Sequence, residues 1–153
     1  MSKAIIVAAS QRRKMEPKDP IPAIDRFSGV YFRILKKYLR SGKLPNTDIL
    51  IISQNFGILR SKDKVPYRKP TGKIDFDERF VEKARKANLK TLGQIFKEKD
   101  YAEIYVNLGK EFSKLIESFE TLTSAEVIHA SGPGLGPKAK HMKNWIIEQA
   151  RKP

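Results

Sequence analysis

Four short apolar runs alternate with segments of helical periodicity along the chain. The runs cover residues 4–10, 48–53, 102–108 and 125–131, and their nearly continuous apolar character is typical of strands buried on both faces. Helical spacing of apolar positions occurs in residues 27–42, 76–100, 110–122 and 138–151. The second helical segment is predicted to break near Asn88, with Thr91 capping its second piece.

This alternation predicts an α/β fold. Strands that alternate with helices are joined by right-handed crossovers, so we expect a mainly parallel sheet of about four strands with helices on both faces, a three-layer α/β/α sandwich. Residues 11–26 and 54–73 are predicted as basic, proline-bearing loops. The 153 residues show no internal repeat, and residues 1–153 are predicted to form a single domain.

Composition excludes several kinds of chemistry. The chain has no cysteine, which rules out disulfides, thiolate catalysis and cysteine-ligated metals and favours a cytoplasmic protein. Only two histidines are present, so no multi-histidine metal site is expected, and no metal or cofactor is predicted. No apolar run is long enough to span a bilayer, and the N-terminal run is interpreted as a strand rather than a signal peptide. No membrane association is therefore predicted.

The net charge of +14 favours an anionic partner, most often nucleic acid. The alternative is the lysine-rich surface of a thermophile protein, but such surfaces usually enrich glutamate as well, and here 31 Lys and Arg face 17 Asp and Glu. Residues 1–43 carry eleven basic and three acidic groups (net +8), residues 60–73 six and one (net +5), and residues 137–153 five and one (net +4). Much of the surplus thus lies in or beside loops that follow the predicted strands.

Polar and aromatic residues follow the predicted strands. Ligands of open α/β sheets bind beyond the carboxyl ends of the strands, where these residues are expected to meet. Amide side chains can hydrogen-bond base edges, and aromatic rings can stack on bases, although a tight turn and packed rings are the structural alternatives. The predicted base pocket comprises Ser10, Gln11, Ser53, Asn55, Phe56, Tyr67, Asn107, Ser131, Gly132 and Gly134.

Two residues are candidates for acid–base catalysis. His129 ends the last predicted strand, where it could stabilise developing charge or shuttle a proton, or could simply be hydrogen-bonded at the sheet edge. Asp25 could act as a general base, and a favourable charge at a helix N-terminus is its alternative role. The glycine loop 132–136 does not match a nucleotide-binding fingerprint, and its prolines remove donors. Phosphate contacts are predicted for Arg12, Arg13, Lys14, Arg68, Lys69, Lys138 and Lys140.

Four motifs in the first half of the chain resemble an uncharacterised bacterial and archaeal family. They are Ser10 to Lys14, Pro22-Ala23-Ile24-Asp25, Ser53 to Gly57, and Pro66-Tyr67. The wider resemblance is to the base-modifying domain of archaeosine synthase and, more distantly, to the uracil-DNA glycosylase fold. This resemblance implies that His129 faces a base and that Leu135 probes a nucleotide stack. The glycosylase aspartate that activates water after the first strand has no counterpart in register.

Three functions follow as hypotheses. The first is a nucleobase-modifying enzyme or enzyme subunit that acts on tRNA or DNA, with tRNA modification as its expected role. The second is a non-catalytic nucleic-acid-binding module with a glycosylase-like fold, which the missing aspartate and the absent cysteine favour. The third is an enzyme acting on a free nucleotide or nucleoside. Nucleic acid is the predicted partner, and a protein partner and the oligomeric state are left open.

Overall fold

A computed structural model describes residues 2–70 and 72–151 of the protein. The helices are α1 (Ala23–Arg26), α2 (Val30–Arg40), α3 (Glu78–Glu98), α4 (Lys110–Ser113) and α5 (Leu135–Arg151), and two 3-10 turns cover Lys114–Ile116 and Phe119–Leu122. The strands are β1 (Lys3–Ala8), β2 (Ile21–Pro22), β3 (Thr47–Ser53), β4 (Gly57–Arg60), β5 (Lys64–Val65), β6 (Glu103–Asn107) and β7 (Glu126–His129). Within the described residues, no helix has both the length and the apolar character needed to cross a membrane.

The central sheet has five strands in the order β4-β3-β1-β6-β7. β1 pairs in parallel with β3 and β6, and β7 pairs in parallel with β6, whereas β4 is antiparallel to β3. The prediction of an α/β fold with a mainly parallel sheet is confirmed, and the sheet has five strands instead of about four. β2 and β5 form a separate two-stranded ribbon.

The additional strand β4 follows a tight turn in a region predicted as loop. The Ser53 hydroxyl accepts a hydrogen bond from the Phe56 amide at 2.9 Å and donates one to the Gly57 carbonyl at 2.8 Å. Gly57 has a φ of 67°, a left-handed conformation that glycine adopts without steric cost. The tight turn that was the structural alternative for Asn55 is therefore present, and it folds β4 back on β3.

Apolar side chains on the two faces of the sheet build two core clusters. Ile5 and Val7 of β1 face one way and pack with buried residues of α2 and α5. Ala4 and Ile6 face the other way and pack with α3 and the 3-10 turns. This alternation explains the continuous apolar run at β1, because both of its faces are covered by helices.

Two predicted helices differ from the observed ones. α3 continues through Asn88 without a break, because this buried amide donates a hydrogen bond to the Leu115 carbonyl at 3.1 Å and has no need of solvent. The helix predicted for residues 110–122 is instead α4 followed by the two 3-10 turns. Ser118 separates these turns with a φ of 71°, which no α-helix accommodates.

Candidate functional site

The carboxyl ends of four parallel strands share one edge of the sheet. After β1 the chain forms β3 on one side of it and later β6 on the other side, so the strand order reverses between β1 and β6. Ligands of open α/β sheets bind at such a switch point. Ser10 lies just beyond β1 and Asn107 ends β6, so both residues border this point.

Four polar side chains lie together beside this switch point, and we call Tyr31, Tyr105, Asn107 and His141 the switch-point cluster. The Tyr105 hydroxyl lies 2.6 Å from Nδ1 of His141. The Tyr31 hydroxyl lies close enough to the buried Asn107 side chain for that side chain to lower the pKa of Tyr31. The Asn107 amide also lies 3.7 Å from the Met142 sulfur. The cluster therefore joins α2, β6 and α5 through polar side chains.

Burial controls the protonation of the two tyrosines in the cluster. It raises the pKa of Tyr31, and the Asn107 side chain lowers that pKa only in part. Burial also raises the pKa of Tyr105, and the nearby Tyr31 raises it further. Both hydroxyls therefore stay protonated at neutral pH and can serve as hydrogen-bond donors. Imidazole is the side chain that exchanges protons most readily near neutral pH, so His141 is the candidate proton carrier here.

Trp145 adds an unpaired donor next to the cluster. Its ring stacks on Tyr105 with a centroid separation of 4.9 Å, and Tyr105 also stacks on His141 at 5.7 Å. The buried indole N–H of Trp145 has no hydrogen-bond partner among the described residues. Buried polar groups are normally paired, so this N–H is a donor that a water molecule or a ligand can use.

A second feature is a pair of basic loops, residues 11–19 and 62–70, which we call the basic loop pair. The first loop follows β1 at the carboxyl edge. The second begins near the amino end of β3, where the Ser61 amide donates to the Ile49 carbonyl at 3.1 Å, and it returns to the carboxyl edge at Arg68, which lies over the Phe56 ring. It carries eight basic and three acidic groups, a net charge of +5. The Tyr67 amide donates to the Lys18 carbonyl at 3.4 Å, and the Arg13 guanidinium donates to the Arg68 carbonyl at 3.1 Å. Two segments that are distant in sequence therefore form one surface.

Arg26 holds this loop pair together from inside the protein. It is fully buried, and its guanidinium donates to the carbonyls of Lys14, Pro17 and Asp19, each at 2.8 Å, and of Val65 at 3.1 Å. All four acceptors are backbone oxygens in or beside the two loops. A guanidinium offers five donors in a rigid fork, which suits this role. The role of Arg26 was not predicted from the sequence, because a single arginine in a basic region carries no signal of burial.

Cations lie over aromatic rings on this surface. The Lys18 ammonium lies 4.1 Å from the Tyr67 ring centroid, and the Arg68 guanidinium lies 5.2 Å from that of Phe56. Arg13 lies 5.4 Å from the buried Phe27 ring. Burial lowers the pKa of Arg13, and the nearby Tyr67 partly raises it again.

The predicted phosphate-binding residues of the two loops have different roles. Arg13 is half-buried and donates to backbone carbonyls, so it supports the loops. The side chains of Arg12, Lys14 and Lys69 are exposed and form no ion pair with a described residue. Gln11 and Asn55 are exposed as well. The loop pair thus presents free cations to solvent.

The predicted pocket residues do not all converge. Ser10 donates to the Arg12 carbonyl and accepts from the Ser28 amide at 3.3 Å, so it structures the first loop. Ser53 closes the turn before β4. Ser131 and Gly134 are exposed in the loop before α5. Gly132 is there too, with a φ of 112°, and a Cβ on it would lie 2.5 Å from that of Pro137. This close approach favours the stiff-turn alternative for the glycine loop. On α5 beyond it, Lys138 is half-buried and Lys140 exposed.

His129 and Asp25 lie outside the switch-point cluster. His129 pairs in register with Val106, whose side chain packs in the α3 cluster, so His129 lies on the opposite face of the sheet from Asn107. Its Nε2 lies 3.6 Å from a Glu120 carboxylate oxygen, beside a cavity of ≈ 330 Å³.

Asp25 lies in the first turn of the short α1, in keeping with the helix-terminus alternative. Within residues 2–70 and 72–151, no cluster of three or more His, Asp or Glu side chains is arranged to hold a metal ion.

The fold and this edge define a mixed α/β protein with a basic loop surface next to a polar cluster. No protein-family model matches the chain, and no curated protein matches it. Among solved structures, it is similar to the crystal structure of AF0587, a protein of unknown function, with a TM-score of 0.57 and 14% sequence identity. The match covers 95% of this chain and 45% of that one, so this chain spans less than half of its neighbour. At this identity the likeness concerns the fold alone.

Proposed function

We propose that this protein binds nucleic acid through the basic loop pair. The observation that carries the proposal is that the buried Arg26 joins two basic segments. A fully buried cation thereby holds a positively charged surface in place. Phosphate contacts supply most of the affinity in sequence-independent binding, and exposed lysines and arginines make them. We also propose a cytoplasmic location and an α/β/α sandwich, in which the sheet lies between the helices that pack into the two core clusters.

Free cations would contact the phosphates, and aromatic rings would stack on the bases. Arg12, Lys14 and Lys69 are exposed and unpaired among the described residues, so they can neutralise phosphates without first breaking an ion pair. Phe56 and Tyr67 are half-buried beside them. Stacking of a base on such a ring contributes roughly 1–3 kcal/mol, and it tolerates any base sequence. This combination suits an unpaired stretch of RNA or DNA.

Fluorescence anisotropy with tRNA, single-stranded DNA and duplex DNA at several salt concentrations tests this proposal. We expect affinity to fall steeply with salt. The combined variant Arg12→Gln, Lys14→Gln and Lys69→Gln should lower the slope of log affinity against log salt by about 2–3. A matched control on α3, combining Lys83→Gln, Lys86→Gln and Lys90→Gln, removes the same charge elsewhere. Absence of binding at low salt, or equal effects of the two variants, would refute the proposal.

Nucleobase modification in tRNA or DNA is the second candidate function, and the switch-point cluster favours it. The cluster combines a proton carrier, His141, with two protonated hydroxyls and an amide at the place where α/β sheets bind ligands. The resemblance expected from the sequence also implies a base as the ligand, although it assigns the contact with that base to His129. Through the cluster, catalysis would depend on His141 rather than on His129.

Nucleoside mass spectrometry of tRNA and DNA from cells lacking the protein tests this second candidate. We expect one modified nucleoside to be lost or one unmodified precursor to accumulate. Complementation with His141→Ala should fail to restore it, while His129→Ala should restore it. An unchanged nucleoside profile in the deletion strain would leave the binding proposal in place and reject base modification. Turnover of a free nucleoside by the purified protein would instead support the third hypothesis.

A further inference from the structure

The outer face of α2 carries a second row of cations, separate from the basic loop pair. Arg33, Lys36, Lys37 and Arg40 follow one another at helical spacing, and α2 contains no acidic residue. The inner face of the helix is apolar, with Phe32, Ile34 and Leu35 buried in the core. The cations line a surface groove of ≈ 500 Å³ together with Ser41.

Among residues 2–70 and 72–151, this row has no anionic partner. None of the four cations forms an ion pair with any residue in the described part of the chain. Like charges three or four positions apart on a helix repel each other, so the row does not serve helix stability, although the C-terminal position of Lys37 and Arg40 offsets part of the repulsion. A surface that gained stability from charge would pair its cations, as Arg85 of α3 pairs with Glu117, beyond the first 3-10 turn, at 3.1 Å.

α2 begins next to the basic loop pair and leads away from it. Gly29, which precedes α2, lies so close to Ser10 that a Cβ on the glycine would be 3.2 Å from that of the serine. The Ser28 amide donates to the Arg12 carbonyl at 3.0 Å. From there the helix runs along the side of the sheet for about 16 Å, at a rise of 1.5 Å per residue. The cation row therefore extends the positive surface away from the carboxyl edge.

We infer that the α2 cation row binds the phosphate backbone of a structured polynucleotide, so the ligand continues beyond the loop pair. The inference rests on the proposed function and names its partner class. Arg33 and Arg40 are about 10 Å apart along the helix axis, a distance over which one strand of a duplex presents about three phosphates. A free nucleotide could not reach both surfaces. An anionic membrane suits the row less well, because membrane-surface helices expose an apolar face and that of α2 is buried in the core.

The test compares two triple variants. The helix variant combines Lys36→Gln, Lys37→Gln and Arg40→Gln, and the matched control is the α3 variant with Lys83, Lys86 and Lys90 replaced by Gln. Neither should lose stability in urea unfolding, because all of the replaced side chains point into solvent or lie at its edge. For tRNA and long duplex DNA, the helix variant should bind roughly 10- to 100-fold more weakly at moderate salt, with a salt slope smaller by about 2–3. The control should bind like the wild type.

A short ligand and a vesicle complete the design. An oligonucleotide of about five nucleotides, near the smallest site size of single-strand binders, should bind the helix variant and the wild type equally. The loop variant is the combined Arg12→Gln, Lys14→Gln and Lys69→Gln variant described above. If the helix variant binds tRNA like the α3 control while the loop variant fails to bind, the α2 inference is overturned and the proposed function stands. If the loop variant also binds normally, both fail. Selective loss of binding to phosphatidylglycerol vesicles, with tRNA binding intact, would also overturn the inference and assign the row to a membrane.

Discussion

Replacing Arg26 tests whether a buried cation organises the candidate nucleic-acid surface. In Arg26→Met, four backbone carbonyls lose their donor, and hydrogen bonds from a charged donor contribute roughly 1.5–3 kcal/mol each. Burial of the cation without a carboxylate partner offsets several kcal/mol of that gain. We therefore expect a net loss of about 2–4 kcal/mol in the free energy of unfolding, measured by urea denaturation. At about 2–4 °C per kcal/mol, the melting temperature should fall by roughly 5–15 °C.

Hydrogen exchange distinguishes a local effect of Arg26 from a general one. The Lys14 amide donates to the Arg26 carbonyl at 2.8 Å and the Tyr67 amide to the Lys18 carbonyl at 3.4 Å, so these two amides report on the loops. Both should lose protection in Arg26→Met, and the affinity for tRNA should fall. Arg79→Met, at an exposed position of α3, is the control. If the free energy of unfolding of Arg26→Met lay within about 0.5 kcal/mol of the wild-type value, and the protection of the loop amides were unchanged, the reasoning would be refuted.

Three further substitutions test other parts of the structure. Ser53→Ala removes both turn hydrogen bonds at a buried site and should lower the free energy of unfolding by about 1–3 kcal/mol in urea. Burial raises the pKa of Asp48, but hydrogen bonds, chiefly from Lys99, lower that pKa by more. The net pKa therefore lies below its ordinary value of 3.8. This group therefore stabilises the fold above its unfolded pKa and loses that effect as pH falls through the folded one, so Asp48→Asn should cost more stability at about pH 6 than at about pH 2. Tyr105→Phe should shift the His141 Nδ1 resonance in nitrogen NMR, because that atom loses its partner.

Each of these substitutions has a matched control. Ser41→Ala removes an exposed hydroxyl that donates to a backbone carbonyl at 3.2 Å, and it should change stability by less than about 0.5 kcal/mol. Asp100→Asn, at an exposed position without an ion pair or hydrogen bond to a described residue, is the control for Asp48→Asn. Tyr38→Phe should leave the His141 resonance unchanged. Equal effects in a substitution and its control would show that the hydrogen bond in question contributes nothing measurable.

The sequence predicted the parallel strands because each is a nearly continuous apolar run. β4 and β5 could not be predicted in the same way, since they have only four and two residues and their pairing depends on tertiary contacts. The false break in α3 has a similar origin. Asn88 suggests a helix end from its local preference, but a carbonyl that lies 27 positions further along the chain satisfies it.

The candidate site was predictable only in part. Parallel strands bring their carboxyl ends to one edge, so Ser10 and Asn107 were correctly expected there. The face on which a strand residue lies changes with each step along the strand, and residues 125–131 have apolar side chains at adjacent positions, so the orientation of His129 was undetermined. His141 lies next to Met142, a buried residue of α5, and no local sequence pattern separates it from a surface residue. Arg26 could be found only once its four acceptors were known.

The distribution of charge between the two faces of the sheet favours a polyanion partner over a thermophile-type surface. Residues 74–127, which include α3 and the 3-10 turns, carry nine basic and eleven acidic groups. Ion pairs on that side include Arg85 with Glu117 and Lys114 with Glu111. α2, on the other face, has four cations and no acid, and no ion pair forms there among the described residues. Selection for stability through ion pairs would act on both faces, whereas selection for an anionic ligand acts on the face that meets it.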